Sequence, residues 1–306
     1  MKICIIGAGP AGLAAARVFS ESGIEFSLFD QYQNPGGQYW RHKNGARFPV
    51  AGFDETFTFE KATWHLETTI WQIERRSDKF DVHSIRNGKM VTESFDTLLI
   101  ATGAIERPLP IPGWTLPGVM TAGALQSLLK GNGVIPGKKI LIAGSGPFLF
   151  PVAQSLHQAI SKTDAQDCEI LGVLEARSLF RWWRNILGLI INPEKALQAL
   201  GYLFSLKKAG LKISSRRTII SIKQSGLNLK KIGIAKDPRE KTAVPESEIE
   251  CDVVAMSFGF TPDLTIPSIL KLLTRQVLDE EVVAVDGNQR TSVPGVWAAG
   301  EITGIG

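Results

Sequence analysis

The chain has 306 residues, 44% of them hydrophobic and 21% charged, so about two globular domains are expected and a disordered or collagen-like chain is excluded. The 34 basic and 30 acidic residues leave a net charge of +4, too small to predict a nucleic-acid partner. The apolar start superficially resembles a secretory signal, but a glycine motif inside it explains the pattern better. Since no later run reaches the roughly 20 apolar residues of a membrane span, we expect a cytoplasmic protein.

A complete strand, helix and strand unit is predicted within the first 30 residues. Residues 2–6 (KICII) are typical of a strand buried on both faces, residues 13–21 of a helix that Gly23 closes, and residues 25–29 of a second strand. The pattern GxGxxG lies between the first strand and the helix, and an aspartate follows the second strand.

These residue types suit a dinucleotide. Gly7 permits a tight turn, Gly9 lets the backbone approach a diphosphate, and Gly12 lets the helix pack closely on the strand. The helix N-terminus offers free amides to the anion, and Asp30 can accept hydrogen bonds from a ribose. A glycine turn without a ligand is the alternative. The residues predicted to bind cofactor in this unit are Gly7, Gly9, Pro10, Ala11, Gly12 and Asp30.

The segment that follows is irregular at first and then antiparallel. Residues 39–66 are rich in aromatics, whereas the alternation over 68–100 and the Asn87-Gly88 turn predict three antiparallel strands before a last apolar run. The proline-rich residues 107–118 indicate a linker or domain crossing. Thr121 is suited to cap a short helix that follows.

The opening pattern repeats about 137 residues later. A strand at 139–143, a Gly144-Ser145-Gly146-Pro147 turn, a helix to about residue 160 and a strand ending in Glu175 form a second unit. Leu149 stands where the third glycine belongs, which makes a tight diphosphate site less assured. Gly144, Gly146 and Glu175 are therefore candidates for a possible NAD(P) site. Glu175 favours NAD over NADP if it meets a ribose, but a plain carboxylate at a strand end is an equal interpretation.

The second half of the chain contains two candidate docking surfaces. Residues 207–241 hold eleven Lys or Arg residues against two acidic ones, and they are interpreted either as solvated strand faces or as an anion or partner surface. The patch Arg181-Trp182-Trp183-Arg184 is either an anchor for a partner protein or a helix surface packed on its own domain. A further strand is predicted at 252–257. The expected division is a first domain of 1–109 with 252–306, interrupted by a second domain of 110–251.

Cysteine and histidine patterns exclude several classes of site. Cys4, Cys168 and Cys251 are far apart and include no CxxC pair, so they are interpreted as small buried hydrophobic residues. A disulfide reductase is therefore disfavoured. The four histidines show no ligand spacing, and no metal site is expected.

Three more short motifs, in this order, resemble the flavoproteins with two dinucleotide-binding domains. They are a double glycine with glutamine after Asp30, an Ala-Thr-Gly segment at a strand end, and a late Ala-Gly-Glu segment. The resemblance implies an α/β fold in which a three-layer ββα Rossmann-like FAD domain is interrupted by a second Rossmann-like domain. It also implies further FAD-binding residues: Gly37, Gln38, Thr102, Gly103, Gly300 and Glu301.

A closer resemblance is carried by residues 101–124, ATGAIERP and then PGWTLPGVMTAGA within that range. This segment is similar to the branch that contains the alpha chain of sarcosine oxidase, the A-type subunits of opine and hydroxyproline dehydrogenases, and the B-type subunit of hydrogen cyanide synthase. The resemblance implies an FAD-dependent polypeptide that works in a hetero-oligomer beside a flavoprotein of the D-amino-acid-oxidase type. Related flavoproteins continue into a helix where this chain stops, five residues after Glu301, and the flavin is expected to be more exposed and more weakly held without it.

Two other functions remain open. One is an independent NAD(P)H-dependent flavin reductase that uses the second unit to bind its electron donor. The other is a non-catalytic scaffold that does not hold flavin stably. No histidine or carboxylate pair is assigned as catalytic, because a flavin enzyme mainly positions and tunes its cofactor.

Overall fold

A computed structural model describes residues 1–38, 59, 61–163, 167–178, 201–202, 204–226, 229–235 and 245–304. Contacts divide the chain into two compact units, the first made of Met1–Ile105 with Phe260–Gly306 and the second of Glu106–Gly259.

The strands are short, as is usual for parallel α/β sheets. In chain order they are β1 (Ile3–Ile6), β2 (Phe26–Phe29), β3 (Ala62–His65), β4 (Thr68–Arg76), β5 (Lys79–Arg86), β6 (Lys89–Phe95), β7 (Thr97–Ile100), β8 (Ala104–Glu106), β9 (Val119–Thr121), β10 (Lys139–Gly144), β11 (Glu169–Glu175), β12 (Ile213–Ser215), β13 (Thr218–Gln224), β14 (Lys230–Ala235), β15 (Ser247–Cys251), β16 (Val253–Ser257), β17 (Phe260–Pro262), β18 (Thr274–Val277), β19 (Glu280–Val283) and β20 (Val296–Ala298).

The described residues also contain helices. They are α1 (Pro10–Glu21), α2 (Ala122–Ser127), α3 (Leu149–Lys162) and α4 (Thr265–Ile269), with a π-helical turn at Leu128–Asn132 and a 3-10 turn at Glu301–Thr303. Residues 204–208 are also helical. Within the described ranges, no helix is both long and apolar enough to cross a membrane.

The first unit is built on a five-stranded parallel sheet with the order β20-β7-β1-β2-β3. Successive residues of β1 point to opposite faces, and both faces are buried. Ile3 and Ile5 share a core with Leu13 of α1, whereas Cys4 and Ile6 share another core with the antiparallel sheet β4-β5-β6. This arrangement confirms the three-layer ββα organisation that the sequence predicted.

The second unit repeats the same plan with a parallel sheet of order β12-β11-β10-β16-β9. Ile140 and Ile142 of β10 pack in a core with α3, whereas Leu141 and Ala143 pack with the antiparallel sheet β13-β14-β15. The predicted meander is therefore present, and apolar residues of its strands contribute to this core.

The domain boundaries differ from the expected ones by a few residues. Residues 252–259 belong to the second unit, because β16 lies between β10 and β9 in its parallel sheet. Residues 106–109 join the same unit. Helix α1 starts at Pro10 instead of residue 13, since proline is well suited to the first helical position.

Two of the predicted surfaces lie partly or wholly outside the described residues. The patch Arg181-Trp182-Trp183-Arg184 lies outside them, and so do residues 236–241 of the basic stretch. Their roles in docking stay predictions.

Candidate functional site

The loop after β1 is packed backbone against backbone. Gly7 has a φ of +104°, and a Cβ there would overlap the carbonyl oxygen of Ala101. A Cβ on Gly12 would overlap the carbonyl oxygen of Gly7. Both positions therefore require glycine, and they hold α1 directly against the end of the sheet.

Gly9 differs from its two neighbours in the motif because its missing side chain faces open space, with no atom within 4 Å of a Cβ built there. Gly9 is the N-cap of α1 and no side chain caps this helix end. Its carbonyl accepts the first helical hydrogen bond, from the amide of Leu13 at 2.9 Å. The amides of Ala11 and Gly12 lie in the first turn and precede that bond, so they are suited to bind an anion.

The carboxylate of Asp30 ties the first loop to the end of β2. One oxygen accepts the amide of Ala8 at 2.6 Å and the other accepts the amide of Tyr32 at 2.8 Å. Asp30 is 8% exposed and lines a cleft. A carboxylate is an acceptor for hydroxyl donors, so its chemistry suits a ribose.

The double glycine packs against the first loop. The amide of Gly36 donates to the carbonyl of Ala8 at 2.7 Å, and a Cβ on Gly37 would lie 2.9 Å from the Cα of Gly9. The side-chain amide of Gln38 donates to the carbonyl of Ala104 at 3.2 Å. This segment is thereby held beside the N-terminal end of α1.

The Ala-Thr-Gly segment follows β7 and is hydrogen-bonded to Asp263, which comes about 160 residues later in the chain. The hydroxyl of Thr102 donates to the carbonyl of Asp263 at 3.1 Å, and the amide of Asp263 donates to the carbonyl of Gly103 at 2.9 Å. Gly300 has a φ of +87°, and a Cβ on it would lie 2.8 Å from the Cβ of Ala11. Glu301 follows at the surface of the same cleft.

One cleft of about 550 Å³ in the first unit brings these motifs together, a volume within the range of small-molecule and cofactor sites. Gly12 lies beneath it, under the Gly7 turn. The predicted residues that line the cleft are Gly7, Gly9, Pro10, Ala11, Asp30, Gly37, Gln38, Thr102, Gly103, Gly300 and Glu301.

Sequence reasoning missed other residues of the same cleft. Tyr32 could have been predicted, because it lies only two positions after Asp30. Residues 68–70 and 263–266 could not, because they reach the cleft only through the pairing and packing of elements distant in sequence. The missed lining residues include Tyr32, Thr68, Thr69, Ile70, Asp263, Thr265 and Ile266.

The second glycine loop, in the second unit, resembles the first in its turn. Gly144 has a φ of +149°, a Cβ on it would overlap the carbonyl oxygen of Ser257, and the amide of Ser145 donates to that oxygen at 2.8 Å. A Cβ on Gly146, like one on Gly9, would meet nothing within 4 Å. The space in front of the loop is therefore open to a ligand.

Glu175 plays the same tethering part as Asp30, but it is fully buried. Its carboxylate accepts the amides of Gly146 at 3.0 Å and Arg177 at 2.9 Å. Burial raises the pKa of this carboxyl, and the two backbone hydrogen bonds oppose the rise. Contact with a ribose requires the carboxylate to move, so this role stays a prediction.

Helix α3 starts later in its motif than α1 does. Leu149 occupies the third glycine position and is the first residue of α3, whereas α1 begins at the proline of its motif. The side chain of Leu149 is fully buried in the core of the second unit. The amides of Leu149 and Phe150 donate to the carbonyls of Gly146 and Pro147 at 3.4 and 3.2 Å. Fewer free amides face this loop than face the loop at Gly9.

Two buried oxygens in the second unit have no hydrogen-bond partner among the described residues: the hydroxyl of Ser257 and one carboxylate oxygen of Glu106. Ser257 ends β16 opposite Gly144, where the strand order of the sheet changes direction. Open α/β sheets bind ligands at such a point. The other oxygen of Glu106 accepts the amide of Gly123 at 2.7 Å.

The three cysteines are free thiols. Burial raises the pKa of Cys4, and burial also raises that of Cys251, to about 12. Such thiols are poor nucleophiles at neutral pH. In the part of the chain that the structure describes, no group of three or more His, Cys, Asp or Glu residues is arranged to hold a metal ion.

A comparison with family models matches residues 1–306 to the model described as pyridine nucleotide-disulphide oxidoreductase. The A-type subunit of opine oxidase from Rhizobium meliloti (strain 1021) is 30% identical over 321 residues, which cover 99% of this chain and 66% of that protein. The hydrogen cyanide synthase polypeptide HcnB of Pseudomonas aeruginosa is 31% identical, covering 100% of this chain and 67% of that protein. The chain thus spans about two thirds of the length of these relatives.

A more distant relative and a solved structure agree with this match. The alpha chain of sarcosine oxidase from Corynebacterium sp. (strain P-1) is 25% identical over 284 residues, which cover 85% of this chain and 26% of that protein. The thioredoxin reductase structure from T. acidophilum has a TM-score of 0.65 at 20% identity, covering 98% of this chain and 90% of that one. The structural likeness concerns the fold, which is the one expected from the sequence.

Proposed function

The chain belongs to the pyridine nucleotide-disulphide oxidoreductase family, and from this premise we propose that it is the A-type, flavin-carrying subunit of a heteromeric amine or amino-acid dehydrogenase. Family membership makes it an FAD-dependent oxidoreductase, and FAD and NAD(P) are the cofactors of this family. The proposed substrates are secondary amines or amino acids of the opine, hydroxyproline or sarcosine type. The proposed partner is a flavoprotein of the D-amino-acid-oxidase type, and the proposed location is the cytoplasm.

The observation that carries the proposal is the cleft of the first unit, in which all the flavin motifs meet. The amides at the start of α1 are suited to a diphosphate, and Gly9 leaves the space that it needs. Asp30 is suited to the adenosine ribose, while Gly37, Thr102 and Glu301 supply the remaining contacts. The residues present therefore fit FAD.

FAD, when bound, supplies the electron-transfer chemistry, and the chain binds and orients it. Among the described residues that line the cleft there is no histidine, cysteine or lysine. Of its three carboxylates, Asp30 accepts two amides, Asp263 accepts the amide of Thr265 at 3.0 Å, and Glu301 is exposed at the cleft surface. We infer an electron-carrying role for the chain, with acid and base catalysis on the partner.

The names of the relatives support the subunit role. The opine oxidase, hydrogen cyanide synthase and sarcosine oxidase relatives are each named as one subunit of an enzyme. The segment 101–124 that carries the resemblance contributes Thr102 and Gly103 to the cleft, and it also contains Gly123, whose amide binds Glu106. We infer that the chain receives or passes on electrons in such an assembly.

The test is anaerobic reduction of the FAD-loaded chain, followed at the flavin absorbance. We expect no reduction by sarcosine, hydroxyproline or an opine with the chain alone. We expect reduction by one of them once a partner flavoprotein, isolated by affinity purification on the tagged chain, is added. The Gly9→Val chain with the same partner is the control. Reduction by these amines without any partner, or none with it, contradicts the subunit role.

An NAD(P)H-dependent flavin reductase is the second candidate, and the open space at Gly146 with the unpartnered hydroxyl of Ser257 favours it. NADH and NADPH are mixed with the FAD-loaded chain in the same anaerobic assay. Rapid bleaching that is lost in Gly146→Val, while FAD stays bound, would support this candidate over the subunit role.

A further inference from the structure

The strand β6 forms one edge of the described antiparallel sheet of the first unit. It pairs with β5 in an unbroken register from Phe80↔Phe95 to Arg86↔Lys89, and the described sheet ends there. The opposite edge, β4, has a register shift between Ile70 and Gln72. Bulges, prolines and inward charges are the usual protection of edge strands. β6 has no bulge and no proline, and its inward charge is Glu93, which lies on the same face as the buried Phe95.

Large apolar side chains lie exposed on this edge. Met90 is 76% exposed and Val91 is 40% exposed, and Ile85, the cross-strand neighbour of Met90, is 42% exposed. Phe95, at the far end, is the buried residue of the strand. A regular strand with a free backbone edge and exposed apolar residues is suited to accept another strand.

The sequence of β6 is complementary to itself when it runs antiparallel and is centred on Val91. Lys89 then faces Glu93 of a second copy, Met90 faces Thr92, Val91 faces Val91, and the order repeats on the other side of the two-fold axis. We infer that β6 joins two copies of this chain into a symmetric dimer with a continuous six-stranded antiparallel sheet. Directly opposed residues lie on one face of a sheet, so both lysine and glutamate pairs are neighbours across the new interface.

The charges select this register over the alternatives. A parallel, in-register pairing places Lys89 against Lys89 and Glu93 against Glu93, which is repulsive. An antiparallel pairing centred one residue further along puts Val91 opposite Glu93 and loses both lysine and glutamate pairs. The centring on Val91 pairs each lysine with a glutamate and places the two Val91 side chains opposite each other.

Contacts within the chain already hold residues on both faces of β6 in position for this pairing. On one face, a hydrogen bond of 2.8 Å between Thr92 and His83 holds the residue that receives Met90 of the other copy. On the other face, Glu93 lies 3.6 Å from His65, and its side chain is still 36% exposed. Glu93 is thus held in place and remains accessible to a lysine.

A strand of seven residues buries much less than the roughly 1,600 Å² of a standard stable interface. We therefore expect a dimer that forms and dissociates with protein concentration. Sedimentation velocity of the purified chain over a range of concentrations, at low salt, measures this equilibrium. Low salt is chosen because exposed ion pairs are screened.

Charge reversal tests the register directly. Lys89→Glu and Glu93→Lys each replace two attractive pairs with two repulsive ones, and each should weaken dimerisation about tenfold or more. The double variant Lys89→Glu with Glu93→Lys restores both pairs and should dimerise like the original chain. An equal mixture of the two single variants should also form dimers, since each supplies the charge that the other needs. Glu25→Lys, an exposed charge reversal outside this sheet, is the matched control.

Recovery in the double variant and in the mixture would support the dimer and also exclude misfolding as the cause of the loss. A chain that stays monomeric at every attainable concentration would overturn it. So would a dimer that both reversals affect no more than Glu25→Lys does. Binding of β6 to a different protein by a chain that is monomeric alone also counts against the inference.

Discussion

Valine at position 9 should separate flavin binding from folding. Gly9 has φ −74° and ψ −176°, an extended conformation that valine adopts readily, and a Cβ there meets no atom within 4 Å. The folded chain should therefore lose only about 1 kcal/mol, the usual penalty for an apolar residue at an N-cap. The new side chain stands in front of the first turn of α1, in the space that a diphosphate needs.

The loss of flavin affinity follows from the amides that become inaccessible. If the diphosphate loses the amides of Ala11 and Gly12, two hydrogen bonds to a charged group at about 1.5 kcal/mol each are removed. The total of about 3 kcal/mol corresponds to a dissociation constant on the order of 100-fold higher. Titration of the flavin-free chain with FAD, followed by flavin fluorescence, measures this change, and urea unfolding followed by circular dichroism measures stability.

Two glycines provide controls. Gly146→Val places the same side chain in the second loop, where a φ of +114° strains valine and should lower the stability of the second unit, but it should leave FAD affinity unchanged. Gly12→Ala drives a methyl group into the carbonyl oxygen of Gly7, so it should reduce stability itself. If folded Gly9→Val binds FAD within about threefold of the original chain, the proposed position of the diphosphate is wrong, because the two lost hydrogen bonds predict a much larger change.

Three further outcomes are expected. Asp30→Asn should weaken FAD binding about tenfold in the same titration, since the charged acceptor at the ribose is lost; unchanged affinity would remove Asp30 from the site. The pKa of Glu175 is raised in the folded state, so its contribution to stability should fall as pH rises through that pKa. The unfolding free energy of the original chain should therefore fall relative to that of Glu175→Gln when both are measured from acidic to neutral pH. A parallel pH profile would contradict this. Alkylation with iodoacetamide and mass spectrometry should label Cys168 before the buried Cys4 and Cys251 in the folded chain, and equal labelling would show that the burial is not maintained.

Local signals in the sequence were sufficient for the fold and for most of the cleft. The GxGxxG motif, the acid at the strand end and the later short motifs each lie next to a buried strand, and strands of one parallel sheet end at the same edge. Gly9, Asp30 and Gly300 therefore had to approach one another once the sheet order was known.

What the sequence did not reveal depends on contacts between distant elements. Residues 68–70 and Asp263 enter the cleft through β4 and through the segment before α4, and no local pattern indicates either. The domain boundary was misplaced because the apolar run of β16 is equally suited to either parallel sheet, and only its pairing with β10 decides. The hydrogen bond from the amide of Gly146 to Glu175 could not be predicted either, since the sequence does not show whether an acid at a strand end accepts a backbone amide.

The first unit is discontinuous, and this has a consequence for biogenesis. Its outermost strand β20 comes from residues 296–298, yet it lies against β7, about two hundred positions earlier. The inserted unit is continuous in sequence, so during synthesis it can acquire its core while the amino-terminal segments still lack their last strand. Pairing over such a separation is slow. A ribosome that pauses before β20 should thus carry a nascent chain with one folded unit and one exposed sheet edge, which is a typical substrate for chaperones.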